Sequence, residues 1–328
     1  MIGEVWSARR REFHVTCSIG VAVYPQDGSS ADMLLRNADS AMYKAKENGR
    51  NAFQFYTAEL NRAMVERLSI EHRLRGALAR KQFQLHYQPR INMRTGRIVG
   101  AEALLRWNVA EGDLYPPSRF ISVAEDTGLI VPIGKWALQT ACDQARSWQI
   151  QGLAPLVVSV NVSPRQFREG DIVETVSHAL EHSGLPARYL QLELTESMVM
   201  HDPETAVSML RDLKAIGVSM AVDDFGTGYS SLSYLKRFPV DHLKIDRSFV
   251  KDIASDPDDA AIVQAIIALG HKLGLKVVAE GVETLEQQEF LRRNRCNEMQ
   301  GFLFCKPLPA AEFAAVLAEQ SMQLLNAR

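Results

Sequence analysis

An α/β fold is predicted for most of this chain: a TIM-like (βα)8 barrel with an antiparallel first strand, preceded by a partial α+β segment. Three observations predict it. From Phe83 onward, short Val, Ile and Leu runs alternate with stretches of helical apolar spacing, as repeated βα units around a parallel sheet require. Eight such runs occur, and the roughly 240 residues from Phe83 to the C-terminus match the ~250 of a closed barrel of this kind. Most runs also end on an acid, an amide or a lysine, and this architecture collects its functional side chains at the C-terminal ends of its strands.

Taken in order, His14–Val23 reads as a strand and Phe53–Tyr56 as another. Between them lies a helix that Ser29 or Ser30 caps, in which Leu34, Leu35, Ala38, Ala41, Met42 and Ala45 recur at helical spacing and which Gly49 stops. Two strands and one helix bury too little surface to offset chain entropy, so residues 1–56 read as part of a larger domain. Residues 57–82 read as a connecting helix, with Leu60, Met64, Leu68, Ile70 and Leu74 as an imperfect apolar stripe. The barrel takes residues 83–328. Its strands are expected at Phe83–Tyr87, Ile98–Arg106, Leu156–Val162, Leu190–Thr195, Val218–Asp223, Asp241–Ile245, Leu275–Ala279 and Met299–Phe304. Only Gln88–Arg97 joins the first two, with Thr95-Gly96 as the turn, which is too short for a parallel crossover. That pair should run antiparallel.

Composition narrows the function. The 328 residues carry 37 Lys and Arg against 39 Asp and Glu, a net charge of −2, so a basic nucleic-acid binder is not indicated. Four scattered cysteines without a C-x-x-C pair suggest neither a disulfide framework nor a structural zinc, and a reducing compartment is expected. No apolar run approaches the ~18–20 residues of a membrane-spanning helix, and Met1–Glu4 shows no signal pattern.

The run-ending residues carry the chemistry. Asn161, Glu193, Asp223 with Asp224, Lys244, Glu280 and Gln300 end or follow six of the runs, and Glu102 and Arg106 share one face of the second. Several carboxylates meeting in one mouth repel each other unless a cation lies between them. Oxygen-only ligands favour Mg²⁺ or Mn²⁺ over zinc, and the adjacent Asp223-Asp224 pair would let one carboxylate bridge two ions, as in phosphodiester hydrolysis. Proton abstraction by Lys244 beside a metal-stabilised enolate is a second reading of the same residues.

The stretch Glu102-Ala103-Leu104-Leu105-Arg106-Trp107 resembles the name-giving motif of EAL domains, which hydrolyse the bacterial second messenger cyclic di-GMP. The resemblance continues through Tyr87-Gln88-Pro89, Asn161-Val162-Ser163, Glu193-Leu194-Thr195-Glu196, Asp223-Asp224-Phe225-Gly226-Thr227-Gly228, Leu243-Lys244-Ile245-Asp246, Glu280-Gly281-Val282-Glu283-Thr284 and Gln300-Gly301. It implies a metal-dependent phosphodiesterase that releases linear pGpG. Glu102, Asn161, Glu193, Asp223, Asp224 and Glu280 would hold two Mg²⁺ or Mn²⁺ ions, with Glu280 also in a catalytic role. Lys244 would orient or deprotonate the attacking water, and Glu196 would steady the loop after Asp223-Asp224. Arg106, Gln88, Gln300 and Asp246 would meet substrate. A bacterial cytoplasmic location and a homodimer through the barrel are implied as well. The alternative is a non-catalytic receptor that binds cyclic di-GMP and signals through the connecting helix.

Ser18-Ile19-Gly20-Val21-Ala22, Ala38-Asp39-Ser40-Ala41-Met42-Tyr43-Lys44-Ala45-Lys46 and Gly49-Arg50-Asn51 resemble the last third of a GGDEF diguanylate cyclase domain. The Gly-Gly-Asp-Glu-Phe stretch itself occurs nowhere in the chain, so no cyclase activity is expected. Cys296-Asn297 stands where many EAL relatives carry Cys-Asp or Ala-Asp, a departure expected to weaken a local loop contact. His178 and His182 lack the Glu of a zinc-binding H-E-x-x-H and read as a helix surface, and Arg9-Arg10-Arg11 reads as a solvated turn.

Overall fold

A computed structural model describes residues 5–8, 11–14, 16–47, 51–109, 113–169, 172–228 and 232–326. It divides into two compact units, Met1–Gly76 and Ala77–Arg328.

In the first unit, β1 (Val5–Ala8) and β2 (Arg11–His14) form an antiparallel pair. Then follow β3 (Ile19–Val21), α1 (Ala31–Glu47), β4 (Phe53–Phe55) and α2 (Ala58–Leu74). Strands β3 and β4 pair in parallel, Ile19 with Phe53 and Val21 with Phe55, and α1 crosses between them. Gly20 permits that crossing: a Cβ there would lie 1.8 Å from the Ala38 carbonyl oxygen. The strand expected over His14–Val23 is therefore two pieces, since His14 closes β2. Arg11 begins β2, while Arg9, Arg10 and Gly49 lie outside the described residues. The Ser30 hydroxyl accepts from the Met33 N–H at 3.3 Å, and Thr57 caps α2 by accepting from Leu60. Helix α2 ends at Leu74 and not at Gln82, because Gly76 turns left-handed at φ +82°.

The second unit runs β5 (Phe83–Asn92), β6 (Ile98–Val109), β7 (Asp113–Tyr115), α3 (Ile121–Thr127), α4 (Ile130–Ile150), β8 (Val157–Val162), α5 (Pro164–Arg168) and α6 (Ile172–Ser183). It continues with β9 (Leu190–Thr195), α7 (Glu196–His201), α8 (Pro203–Ile216), β10 (Ser219–Phe225), α9 (Leu232–Leu235), β11 (His242–Ile245) and α10 (Arg247–Lys251). Last come α11 (Pro257–Lys272), β12 (Lys276–Ala279), α12 (Leu285–Arg293), β13 (Glu298–Met299), β14 (Leu308–Pro309) and α13 (Ala310–Asn326).

Strands β5, β13, β12, β11, β10, β9, β8 and β6 neighbour one another in that order, and β5 pairs with β6 to close the eight-stranded barrel. Only β5 runs against the rest. The last strand stops at Met299 instead of Phe304, because the chain at Gly301 passes so close to Val282 that a Cβ would lie 2.0 Å from its carbonyl oxygen.

Strand alternation divides the side chains between two environments. Leu190, Leu192 and Leu194 of β9, Val158, Val160 and Val162 of β8, and Leu243 and Ile245 of β11 join the core between sheet and helices. On the β5 side that core holds Tyr87, Trp148 and Phe313, with ring centroids 4.8–6.0 Å apart. The intervening positions face the barrel interior and are mostly polar: Ser159, Asn161, Gln191, Glu193, His242 and Lys244.

Candidate active site

At the C-terminal rim, alternation delivers Glu102 from β6, Asn161 from β8, Glu193 from β9, Asp223 from β10 and Lys244 from β11, with Glu280 and Gln300 just past β12 and β13. Lys244 is fully buried. Its Nζ lies 2.5 Å from Glu280 Oε1, 2.6 Å from Glu193 Oε2, 3.0 Å from Asp223 Oδ2 and 3.7 Å from Glu102 Oε2. Glu102 is held from both sides: Asn161 Nδ2 donates to Oε1 and Gln300 Nε2 to Oε2, each at 2.6 Å. Gln300 Nε2 also lies 3.0 Å from Gln88 Oε1, and Gln88 Nε2 donates to the Cys305 carbonyl at 3.3 Å.

On a regular strand Asp223 and Asp224 would point to opposite faces. The register of β10 against β11 shifts between Val222 and Phe225, and Asp224 sits at φ +53°, so an irregularity of the β-bulge kind re-aims the second carboxylate. Asp223, Asp224 and Glu280 consequently bring ligand oxygens within 4.8 Å of one another. The loop that follows is fastened by buried Glu196, whose Oε2 accepts the Gly226 N–H at 2.9 Å. Asp246 caps α10 by accepting the Ser248 N–H at 2.9 Å.

Burial and mutual repulsion dominate the electrostatics. Burial, then the Glu102 charge, pushes the Glu193 carboxyl up to about 7, and burial holds Glu280 well above the usual carboxylate range. Burial, followed by Asp223 and Asp246, also raises Asp224. Burial works against ionisation of Glu102 too, but Lys244, Gln300 and Asn161 together outweigh it and keep that carboxyl below its usual value. Desolvation of Lys244 is likewise overcome, chiefly by Asp223 and Glu102, so it stays an ammonium.

The structure thus brings Glu102, Glu193, Asp223 and Glu280 into one shell about Lys244, with Asn161 and Gln300 against Glu102 and Asp224 against Asp223 and Glu280. Gln88 joins this network only through Gln300. Arg106 lies further along β6, half-buried, its Nη1 donating to the carbonyl of the preceding Leu105 at 3.1 Å.

Sequence reasoning missed a second polar layer. Arg90, Gln191, His242 and Glu298 are all buried inside the barrel below the rim. Arg90 Nη1 donates to Gln191 Oε1 at 2.5 Å, and Gln191 Nε2 meets His242 Nδ1 at 2.7 Å. Arg90 Nε approaches Glu298 Oε2 to 2.7 Å, as an ion pair and not an aligned hydrogen bond. Burial, then the Arg90 charge, pushes the His242 imidazole down to about 3, so it is neutral and its Nδ1 accepts. The available signal was position: each of these residues stands two places along the chain from a rim residue. Asn297, the departure from the EAL pattern, accepts the Val277 N–H on its Oδ1 at 2.8 Å.

The donor set fits a hard divalent cation. Every candidate ligand offers oxygen, and Glu193 Oε1 is buried with no hydrogen-bond partner. With its Nδ2 spent on Glu102, Asn161 keeps its amide oxygen for a ligand. His178 and His182 stack on α6, with His182 Nδ1 3.0 Å from Gln139, and form no such set.

The model of the EAL domain family matches residues 71–307, and that of the diguanylate cyclase GGDEF domain matches residues 1–52. A bifunctional diguanylate cyclase/cyclic di-GMP phosphodiesterase, MucR of Pseudomonas aeruginosa, is 48% identical over 317 residues, 97% of this chain and 46% of that protein. Cyclic di-GMP phosphodiesterase PdeR of Escherichia coli is 43% identical over 302 residues, 92% of this chain and 45% of that protein. The chain therefore spans a little under half the length of these relatives. A solved PaMucR phosphodiesterase, in complex with c-di-GMP, superposes with a TM-score of 0.73 at 50% identity, covering 75% of this chain and 99% of that one.

Proposed function

The chain belongs to the EAL domain family, and from that premise we propose that it hydrolyses cyclic di-GMP to linear pGpG with the help of divalent metal. The observation that carries this reading is the complete oxygen donor set around Lys244, with the Glu193 Oε1 atom left over inside it. Glu102, Asn161, Glu193, Asp223, Asp224 and Glu280 would hold two Mg²⁺ or Mn²⁺ ions. Such ions, when bound, supply Lewis acidity and a nucleophilic water at neutral pH.

The chain's own residues do the rest. Lys244, held as an ammonium by its four carboxylates, orients the attacking water and does not take its proton. Water adds at phosphorus, the bond to the ribose 3′ oxygen breaks, and that oxygen leaves with a proton, giving a 5′-phosphorylated dinucleotide. Arg106, on the same face of β6 as Glu102, offers its guanidinium to a substrate phosphate, and Asp246 and Gln88 line the approach. Glu196 keeps the Gly226 loop at the mouth. Two copies would pair through the barrel, and the reaction would take place in the bacterial cytoplasm. No helix among the described residues is long and apolar enough to cross a membrane.

Product analysis of cyclic di-GMP incubated with the protein in Mg²⁺, Mn²⁺ or chelator, beside Glu102→Ala, tests the reading. Expected are pGpG with metal and none with chelator or the variant. Full turnover in chelator would overturn the metal requirement, and binding without turnover in either metal would make the protein a receptor.

A further inference from the structure

The buried layer below the rim has no part in the reaction so far, although it shares strands with the residues that do. Arg90 stands two residues from Gln88 on β5, and Glu298 two residues before Gln300 at β13. These two strands, the first and last of the barrel, are antiparallel neighbours along one seam. Strand β13 is held there by two register pairs, Glu298 with Asn92 and Met299 with Ile91, and by two more to β12 on its other side. Side chains bridge the same seam twice: Arg90 to Glu298 in the lower layer, and Gln88 to Gln300 at the rim. From Gln300 the chain of contacts reaches Glu102 at 2.6 Å.

Arg90 is anchored on its far side as well, through Gln191 on β9, two residues before Glu193. Room for the guanidinium comes from Gly100, where a Cβ would lie 2.9 Å from Arg90 Nη2. A planar fork that meets a carboxylate and an amide at once fixes direction as well as charge, which a lysine ammonium does not.

We propose that Arg90 is a positioning residue for the rim: paired with Glu298, it clamps β13 to β5 and so sets where Gln300 meets Glu102. The proposal rests on the hydrolase reading for its kinetic consequences, and on the geometry alone for its metal-binding ones.

The test is a double-mutant cycle between Arg90→Met and Gln300→Ala, read as kcat and KM for cyclic di-GMP and as Mn²⁺ affinity by calorimetry. Arg90→Met is expected to lower kcat about tenfold, the range of a residue that orients a metal ligand, with Arg90→Lys between it and the wild type. KM is expected to stay within ~twofold, because Arg90 is buried below the rim with Glu298 and Gln191 as its partners. Both losses in the double variant should equal those of Gln300→Ala alone, since one placement is destroyed either way. Losses that multiply, or an Arg90→Met protein with unchanged kcat and Mn²⁺ affinity, would overturn the proposal. Should Arg90→Met fail to fold, Glu298→Gln with Glu298→Gln/Gln300→Ala makes the same comparison while keeping the side-chain shape. A wild type that does not turn over cyclic di-GMP would sink the hydrolase reading, and the Mn²⁺ cycle would then decide the clamp on its own.

Discussion

Two polar layers share the barrel interior, and they balance charge in opposite ways. At the rim one ammonium faces the carboxylates of Glu102, Glu193, Asp223 and Glu280 within 3.7 Å. In the lower layer one guanidinium faces one carboxylate, with a neutral imidazole and an amide closing the network. The lower layer balances its formal charges within itself. The rim carries a formal excess of negative charge that burial makes costly, which is the condition a site for cations requires. A balanced buried network specifies a structure, whereas an unbalanced one specifies a ligand.

The largest way to break the contrast is Lys244→Met. Removing the one ammonium leaves buried carboxylates uncompensated, so metal-free protein should lose about 3–5 kcal/mol in urea unfolding. Hydrolysis should fall by roughly 10²–10³, the range for losing one preorganised charged donor at the reacting centre. Added Mg²⁺ should restore part of the stability but not the rate.

Gly100→Ala probes the lower layer instead. Its Cβ would meet Arg90 Nη2 at 2.9 Å and the Val157 carbonyl at 3.0 Å, so overpacking should cost about 1–3 kcal/mol. Glu196→Ala strips the Gly226 N–H of its acceptor, and about 1 kcal/mol should be lost, with a larger fall in kcat than in stability.

Titration separates the layers further. A carboxyl whose folded pKa lies above its unfolded value binds its proton more tightly in the fold. Glu193 moves from 4.5 to about 7, so metal-free protein gives up stability as pH rises through that window, while the proposed metal-bound form would need the ionised carboxylate. His242, pushed down to about 3, acts in the other direction below pH 6.5 but equally with and without metal. The rise in Tm on adding Mg²⁺ should therefore be greater at pH 7.5 than at pH 5.5, by on the order of 2–4 °C. Asn297→Asp should be the mildest change, within about 0.5 kcal/mol, because Oδ1 already accepts the Val277 N–H.

Much of the barrel was legible because its two periodicities are strong. The strand over Leu190–Thr195 matches residue for residue, and the short Gln88–Arg97 connection dictated the antiparallel β5. The convergence of run-ending polar residues was readable for the same reason: alternation and strand direction fix where they point. What stayed hidden depended on contacts distant in sequence. Nothing local marks the irregularity that turns Asp224 toward Asp223, nor the close approach of Gly301 to Val282 that cuts the last strand short. The β1–β2 pair, β7 and β14 were missed because pieces of two to four residues carry almost no pattern. Arg90, Gln191, His242 and Glu298 each look like the polar half of an ordinary solvent-facing strand until the barrel closes around them.

The claim that the rim is a cation site can be measured directly by calorimetric titration of metal-free protein with Mn²⁺. The comparison is between wild type and Glu193→Gln at pH 6.5, in two buffers of different ionisation enthalpy. Uptake accompanied by proton release in the wild type, with both sharply reduced in the variant, is the predicted result. No uptake, or uptake in the variant that matches the wild type in affinity and protons released, would contradict it.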